Sequence, residues 1–339
     1  MFTKRRLFGT ALAAATAASL IACSSEPSGE QSSEVRINQA FQSLLYLPLY
    51  VAIDEGYFEE QGVNVKLTTG GGGQNSWSSV LGGTDDFSIH DPVFAPISHE
   101  NGGPGVAVAS IQNAPAVWVV GNEDESLQAD VTGFQGSSVV TMPEPDSTWA
   151  FFNYLMRENS LDPNTVDITE ASVGNELGPF MSGRADYALA TEPQVSQVEA
   201  QGKHAVFSFS EIEDWYPFAF SSLMSTEKYV DENPESTQKV VNALQQASTF
   251  IYTNTDEAVA IAQNYFPDLE GDVIASAVKR ELEARAYPEN VEITQQAWDN
   301  NMRIAAFVGS IKEYPSEATS FATNVNNTFA EKAAAEYAK

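Results

Sequence analysis

The stretch Phe41–Leu67, FQSLLYLPLYVAIDEGYFEEQGVNVKL, decides the fold. An apolar run from Val35 leads into it and ends at the polar pair Gln42 and Ser43. Leu44, Leu47, Val51 and Phe58 then recur near helical spacing, interrupted by Gly56 and stopped by Gly62, and Val63–Leu67 alternates apolar and polar residues as a strand does. The reading is a strand, helix, strand unit of an open α/β sheet. In such sheets small ligands bind beyond the carboxyl ends of the strands. Gln42 and Ser43, which leave the first strand, are therefore ligand candidates, although the same residue types serve as caps at a helix start.

Within this stretch, Leu-Pro-Leu-Tyr-Val-Ala from Leu47 and Glu-Gly-Tyr-Phe-Glu-Glu-Gln-Gly-Val-Asn-Val from Glu55 carry a resemblance. They are similar to the opening of the nitrate/sulfonate/taurine/thiamine-pyrimidine group of ABC-transporter substrate-binding proteins, and the similarity continues at lower density to about residue 265. The resemblance implies an α/β fold of the two-lobed type II periplasmic-binding class. Each lobe would be a mixed sheet flanked by helices, with the ligand cleft between the lobes. It implies a monomer with no catalytic activity and no cofactor, whose partners are a small-molecule solute and the membrane subunits of an ABC permease.

The N-terminus reads as an address. Lys4, Arg5 and Arg6 precede an apolar run from Leu7 to Ile21, and Leu20-Ile21-Ala22-Cys23 resembles a bacterial lipobox. Such a run is short for a bilayer span. Cys23, the only cysteine, is expected to carry lipid and to tether the protein to a membrane outside the cytoplasm. Arg5-Arg6-Leu7-Phe8 also resembles a twin-arginine export signal. The expected organisation is a signal peptide at 1–22, a flexible Ser/Pro/Gly-rich tether at 23–34, the first part of lobe I at 35–125, lobe II at 126–216, and a return to lobe I with C-terminal helices at 217–339.

The chain carries 46 acidic and 17 basic residues, a formal charge of −29, and loss of the signal peptide deepens it to −32. A surface of that sign repels nucleic acid and anionic lipid, so neither is an expected partner. Salt screens the self-repulsion, and a marine or halophilic setting is the expectation.

Along the chain, further candidates fall where strands give way to helices. Gly70–Gly73 with Gln74 and Asn75 forms a glycine loop before a helix ending near Gly82; glycine lets backbone approach a ligand, and Gly73, Gln74 and Asn75 are ligand candidates. The loop lacks the Lys-Ser/Thr of a phosphate loop, which excludes nucleotide binding of that kind. Asp85–Pro92 reads as a short strand and turn, with Asp91 as ligand candidate or helix cap. Val106–Val120 reads as two strands around a polar kink that contains Asn113, and the family pattern places the crossover to lobe II at Gly121–Asp130. Ser137–Met142 is a strand, followed by a helix whose start offers Ser147, Thr148 and Trp149; the resemblance carries Ser147 and Thr148 over as ligand donors, while Trp149 would either stack on a planar ligand or join the core. Asn175 lies in a turn. Asp186–Pro193 repeats the grammar of Asp86–Pro92 and offers Glu192, as ligand or as part of lobe closure. Trp215 and Tyr216 form an aromatic cluster where the chain returns to lobe I. Helices are expected near 240–251, 256–266, 272–286, 294–308 and 316–337.

His90, His99 and His204 are scattered and no Cys/His spacing suggests a metal. Neither a nucleophile elbow nor a dinucleotide fingerprint occurs. Thiamine-pyrimidine synthases share the resembled fold but carry a cysteine-rich motif that is absent here. A ligand-presenting sensor is the other alternative. The candidate loops hold carboxylates, amides and aromatics and no lysine or arginine, which ranks an aminopyrimidine or related heterocycle first, taurine or an alkyl sulfonate next, and an inorganic anion such as nitrate last. Gln42, Asn75, Ser147 and Glu192 are expected to line one cleft.

Overall fold

The computed structural model describes residues 33–122, 132–172 and 174–338. The expected signal peptide, Cys23 and nearly all of the tether lie outside these residues. Ten strands form two sheets: β1 (Ser33–Gln39), β2 (Val63–Thr69), β3 (Phe87–His90), β4 (Val106–Gln112), β5 (Trp118–Gly121), β6 (Ser138–Thr141), β7 (Asp167–Glu170), β8 (Tyr187–Ala190), β9 (His204–Ser208) and β10 (Ser221–Ser225). The first sheet has the order β2-β1-β3-β10-β4 and the second β7-β6-β8-β5-β9. In both, the first three strands pair in parallel and the fourth runs antiparallel to its neighbours.

The odd strand of each sheet is the first one laid down after the chain changes lobes. β4 closes the first sheet, Asn113–Val117 cross, and β5 enters the second sheet; after β9, residues 209–220 return the chain to β10. The expected crossover at Gly121–Asp130 is thus corrected, and lobe II begins before residue 126. Residues 123–131 are outside the description, but β5 has already paired with β8 and β9 by then. The physical reason is that the crossing is the short kink at Asn113 itself: Ala114, Ala116 and Val117 beside it are fully buried, so it reads as a break between two strands of one lobe.

The opening stretch folds as its spacing predicts. A tight turn at Leu44–Tyr46 leads into helices Leu47–Asp54 and Tyr57–Glu60, and Gly56 adopts φ 75°, a left-handed conformation that costs glycine nothing. β1 then pairs with β2 from Ser33↔Val63 to Gln39↔Thr69. Helix Pro234–Thr253 buries Val240, Val241, Leu244, Ala247 and Ile251, the stripe its period predicts. The helix expected over 316–337 is two, Phe321–Asn324 and Thr328–Tyr337; between them Val325 bridges to Ala107, and Asn326 N donates to the Ala107 carbonyl, so the backbone leaves the helix to extend the edge of β4.

Two C-terminal helices join the lobes. Helix Gly271–Glu283 packs on both helix Gln194–Glu199 and the Leu44–Tyr46 turn, and helix Gln295–Val308 packs on helix Ser147–Glu158. From the first, Arg280 Nε lies 2.8 Å from the buried Glu192 carboxylate, and its terminal nitrogen bonds Glu199. The neighbouring Glu281 is fully buried, and neither carboxyl oxygen has a hydrogen-bond partner. Burial, then the charge of Glu192, push its pKa well up, against weaker opposing effects of Gln112 and Arg280. The folded state therefore holds a proton on Glu281 that the unfolded chain releases in the ordinary carboxylate range. The stability this proton confers is complete at low pH and is lost as pH rises towards the folded pKa. Glu281→Gln removes that loss: its melting temperature should exceed that of the parent chain by about 2–4 °C at pH 8, and the gap should close by pH 5 in a calorimetric pH series.

Candidate functional site

A narrow cavity lies between the two sheets, at the carboxyl ends of their parallel strands. Ala40, Phe41, Leu45 and Tyr46 come from the chain leaving β1, Gly73 from the loop after β2, and His90 and Asp91 from the end of β3. The other lobe contributes Met142, Asp146 and Thr148 after β6 and Thr191 after β8, while Phe220 and Ser221 sit where the chain re-enters β10. The bore is narrow, with room for little more than a water molecule. Gly73 is required by close packing: a Cβ there would stand 2.8 Å from the Phe94 ring.

Asp91 is the most connected group in the cleft. Oδ1 accepts from Val93 N (3.0 Å) and from Asn301 Nδ2 (3.0 Å) of helix Gln295–Val308. Oδ2 accepts from Ser147 N (3.0 Å) and from Ser147 Oγ, at the start of helix Ser147–Glu158 in the other lobe. Burial, and next the charge of Asp146, raise the Asp91 pKa to about 7 in spite of these donors. Asp146 caps the same helix by accepting from Thr148 N (2.9 Å) and keeps partial exposure; burial raises its pKa too. His90 is buried with Nδ1 2.8 Å from the Asp91 carbonyl and Nε2 2.9 Å from Ser88 Oγ. The carbonyl requires the proton on Nδ1, so Nε2 accepts from Ser88, and burial holds the ring neutral with a pKa of about 4. No lysine or arginine lines the cavity.

The lobes also touch through backbone. The Glu192 carbonyl accepts from Ser43 Oγ (2.8 Å) and Leu44 N (3.2 Å). Ser43 Oγ is also the cap of the Leu44–Tyr46 turn.

Of the residues expected from the sequence, Gly73, Asp91 and Thr148 line the cavity, and Ser147, Ser43 and Glu192 adjoin it through the bonds just given. The expectation that Gln42, Asn75, Ser147 and Glu192 line one cleft is corrected, since none of the four is in the cavity wall. Gln42 is exposed and donates to the Tyr265 carbonyl; Asn75 braces its own loop by donating to the Gly70 carbonyl. The Glu192 carboxylate turns away to Ser196 and Arg280. Gln74 faces a separate surface groove with Trp77 and Leu81. Asn113 is spent in the crossing, its N–H on the Ala286 carbonyl and its carbonyl accepting from Phe218 N. Trp149 packs against the core, and Asn175 is exposed in its turn. Trp215 is buried among Phe151, Tyr154 and Phe209, and Tyr216 lies under the Arg285 guanidinium, 3.6 Å from it. Of the residues that the sequence reading missed, Phe41, Met142, Asp146 and Thr191 stand one to five residues beyond the last residue of a parallel strand, a signal that could have found them, whereas Tyr46 and Phe220 fall outside that window.

A Bacillus subtilis (strain 168) protein whose name calls it a binding protein, YtlA, is 24% identical over 323 residues, 94% of each chain. The formylaminopyrimidine-binding protein of Halalkalibacterium halodurans is 25% identical over 220 residues, covering 63% of this chain and 64% of that one. A 4-amino-5-hydroxymethyl-2-methylpyrimidine phosphate synthase of Candida albicans (strain WO-1) is 19% identical over 247 residues, 69% and 72% of the two chains. Among solved structures, the alkanesulfonate-binding protein SsuA of Xanthomonas axonopodis pv. citri, bound to MOPS, superposes with a TM-score of 0.69 at 14% identity, covering 87% of this chain and 99% of that one. At that identity the likeness shows the fold, which is the two-lobed periplasmic-binding architecture expected from the sequence. A model of the family described as "NMT1/THI5 like" matches residues 45–258, more than half of the 339-residue chain, and the chain belongs to that family.

Proposed function

We propose that this chain is the solute-binding component of an ABC importer, and that its cleft takes a small, planar, nitrogen-rich solute that is neutral or cationic, an aminopyrimidine or related heterocycle. The observation that carries this reading is the composition of the cavity wall: one buried and one partly exposed carboxyl group, three aromatic rings and no cationic side chain. A ring amine or amidinium donates to carboxylate and hydroxyl oxygens, and Phe41, Tyr46 and Phe220 offer flat apolar surface to its faces. Of the two acids, Asp146 is the one with accessibility to spare, because Asp91 already accepts four protein donors. The formylaminopyrimidine-binding relative supports the same solute class.

Binding is lobe closure. A ring cannot enter a bore that admits little more than a water molecule, so the bonds of Ser147 to Asp91 and of Ser43 to Glu192 must open and re-form around the solute. The ligand then stabilises the closed form by its preference for that form. The synthase activity named for the Candida relative is not carried to this chain, whose one cysteine, Cys23, precedes the fold. Export and lipid attachment at Cys23 complete the proposal. Cells fed a labelled fatty acid should label the parent chain and not Cys23→Ala, whereas equal labelling of the two would sink the anchor.

A thermal-shift screen against aminopyrimidines, flavins, taurine, methanesulfonate and nitrate tests the solute class, because a ligand of the native state raises the melting temperature with its concentration. A saturable shift with an aminopyrimidine is expected, weakened about tenfold or more in Asp146→Asn, the loss of one hydrogen bond to a charged acceptor. Shifts with methanesulfonate or nitrate alone would replace this reading by an anion site.

The acids also set a pH dependence. Asp91 ionises near pH 7 in the closed cleft, and its added negative charge favours a bound cation. The affinity for a permanently charged N-methylpyrimidinium probe should therefore rise about threefold to tenfold from pH 6 to pH 8, as read by calorimetry; a flat profile would remove Asp91 from the ligand's field.

A further inference from the structure

We infer that Asp91 is a specificity-determining residue that acts as a built-in anion: it occupies the donor set that a solute's sulfonate, nitrate or carboxylate group would need, and so closes this cleft to anions. The inference rests on reading the cleft as a solute site and deepens it by naming what the site refuses.

The argument starts from where donors converge. Helix Ser147–Glu158 is 12 residues long and points its start at the cavity. Its first amides lack intrahelical acceptors and carry the positive end of the helix dipole, which makes such a helix start the ordinary place for an anion. Here the place is taken. Ser147 N and Oγ both donate to Asp91 Oδ2, and Thr148 N donates to Asp146. Val93 N and Asn301 Nδ2 converge on Asp91 from two other elements, so four donors from three separate parts of the chain surround one carboxylate that is 6% exposed. A carboxylate that serves only as a local cap would need Val93 alone; the donors from Ser147 and Asn301 come from 56 and 210 residues away.

An incoming anion would meet this arrangement with no compensation. It would have to displace Asp91 from Ser147 and then lie beside both Asp91 and Asp146, with no lysine or arginine in the wall. A neutral or cationic ring needs none of these donors and leaves the set intact. The charge preference of the cleft is thus written in what fills the helix start, in addition to what faces the ligand.

The test is chemical rescue. Asp91→Gly removes the carboxylate and leaves its donors open, so formate should raise the melting temperature of the variant more than that of the parent full chain, with chloride at matched ionic strength as the control. In calorimetry methanesulfonate should bind Asp91→Gly at least about tenfold more tightly than it binds the parent, the scale of charge-assisted hydrogen bonds regained. Equal responses of variant and parent to formate and methanesulfonate would overturn the inference, and so would tight methanesulfonate binding by the parent. If Asp91→Gly does not fold, Asp91→Asn keeps the shape and drops the charge: a gain in methanesulfonate affinity supports the inference and parity overturns it. Failure of the parent to bind any aminopyrimidine would remove the solute reading while leaving the formate comparison to decide the role of Asp91.

Discussion

The carboxylate of Asp91 ties together the end of β3, helix Ser147–Glu158 and helix Gln295–Val308, and the two-lobed arrangement turns on that junction. Four hydrogen bonds to a charged acceptor would each contribute about 1.5–3 kcal/mol if burial were free. Burial is not free: a pKa raised from 3.8 to about 7 means that desolvation and Asp146 outweigh those donors by about 4 kcal/mol relative to an exposed acid. The cost of burying the charge thus offsets much of what the four bonds supply. On the lobe-closure reading proposed above such an offset is needed, since a contact worth many kcal/mol in the closed form would have to be overcome at every opening.

The contact at Glu192 is built on a harder bond. Glu192 meets Arg280 at 2.8 Å with its carboxylate fully buried, and Ser196 N and Oγ donate to the same group. Burial still raises the Glu192 pKa, but the charge of Arg280 and the Ser196 donors oppose it. With Glu192 held in this way, its backbone carbonyl is aimed at Ser43 and Leu44. The acid before Pro193 thus serves architecture through its side chain and lobe contact through its backbone.

Much of the fold was legible because it is periodic. The Phe41–Leu67 unit, the stripe on helix Pro234–Thr253 and the short buried strands β3 and β8 follow from spacing alone. The crossing at Asn113–Val117 was legible only as a kink between two strands, because its alanines and valine are buried and nothing in them marks a change of lobe. The site was less legible still. Candidates chosen for polarity in loops found polar work elsewhere: Gln42 on the Tyr265 carbonyl and Asn75 on the Gly70 carbonyl. Aromatics chosen for stacking went where an aromatic gains most by burial, Trp215 against Phe151 and Phe209. The cavity wall is made by whatever residue ends a strand, apolar or not, and residue type carries little of that information.

The net charge of −29 raises the question of where anions are turned away. Long-range repulsion from the surface acts on arrival, but in 0.15 M salt it decays over about 8 Å, and over less at higher salt. An acidic surface therefore slows an anion without excluding it. Discrimination that survives salt has to be made where ions and water do not screen, among groups taken out of solvent. Asp91 is 6% exposed, and Asp146 is partly buried beside it, both at the start of one helix. The burial that raises the pKa of both carboxyl groups is also what would let their charge act on a bound solute with little screening. On the solute reading proposed above, the energetic penalty of the cleft and a preference for a neutral or cationic guest have one origin.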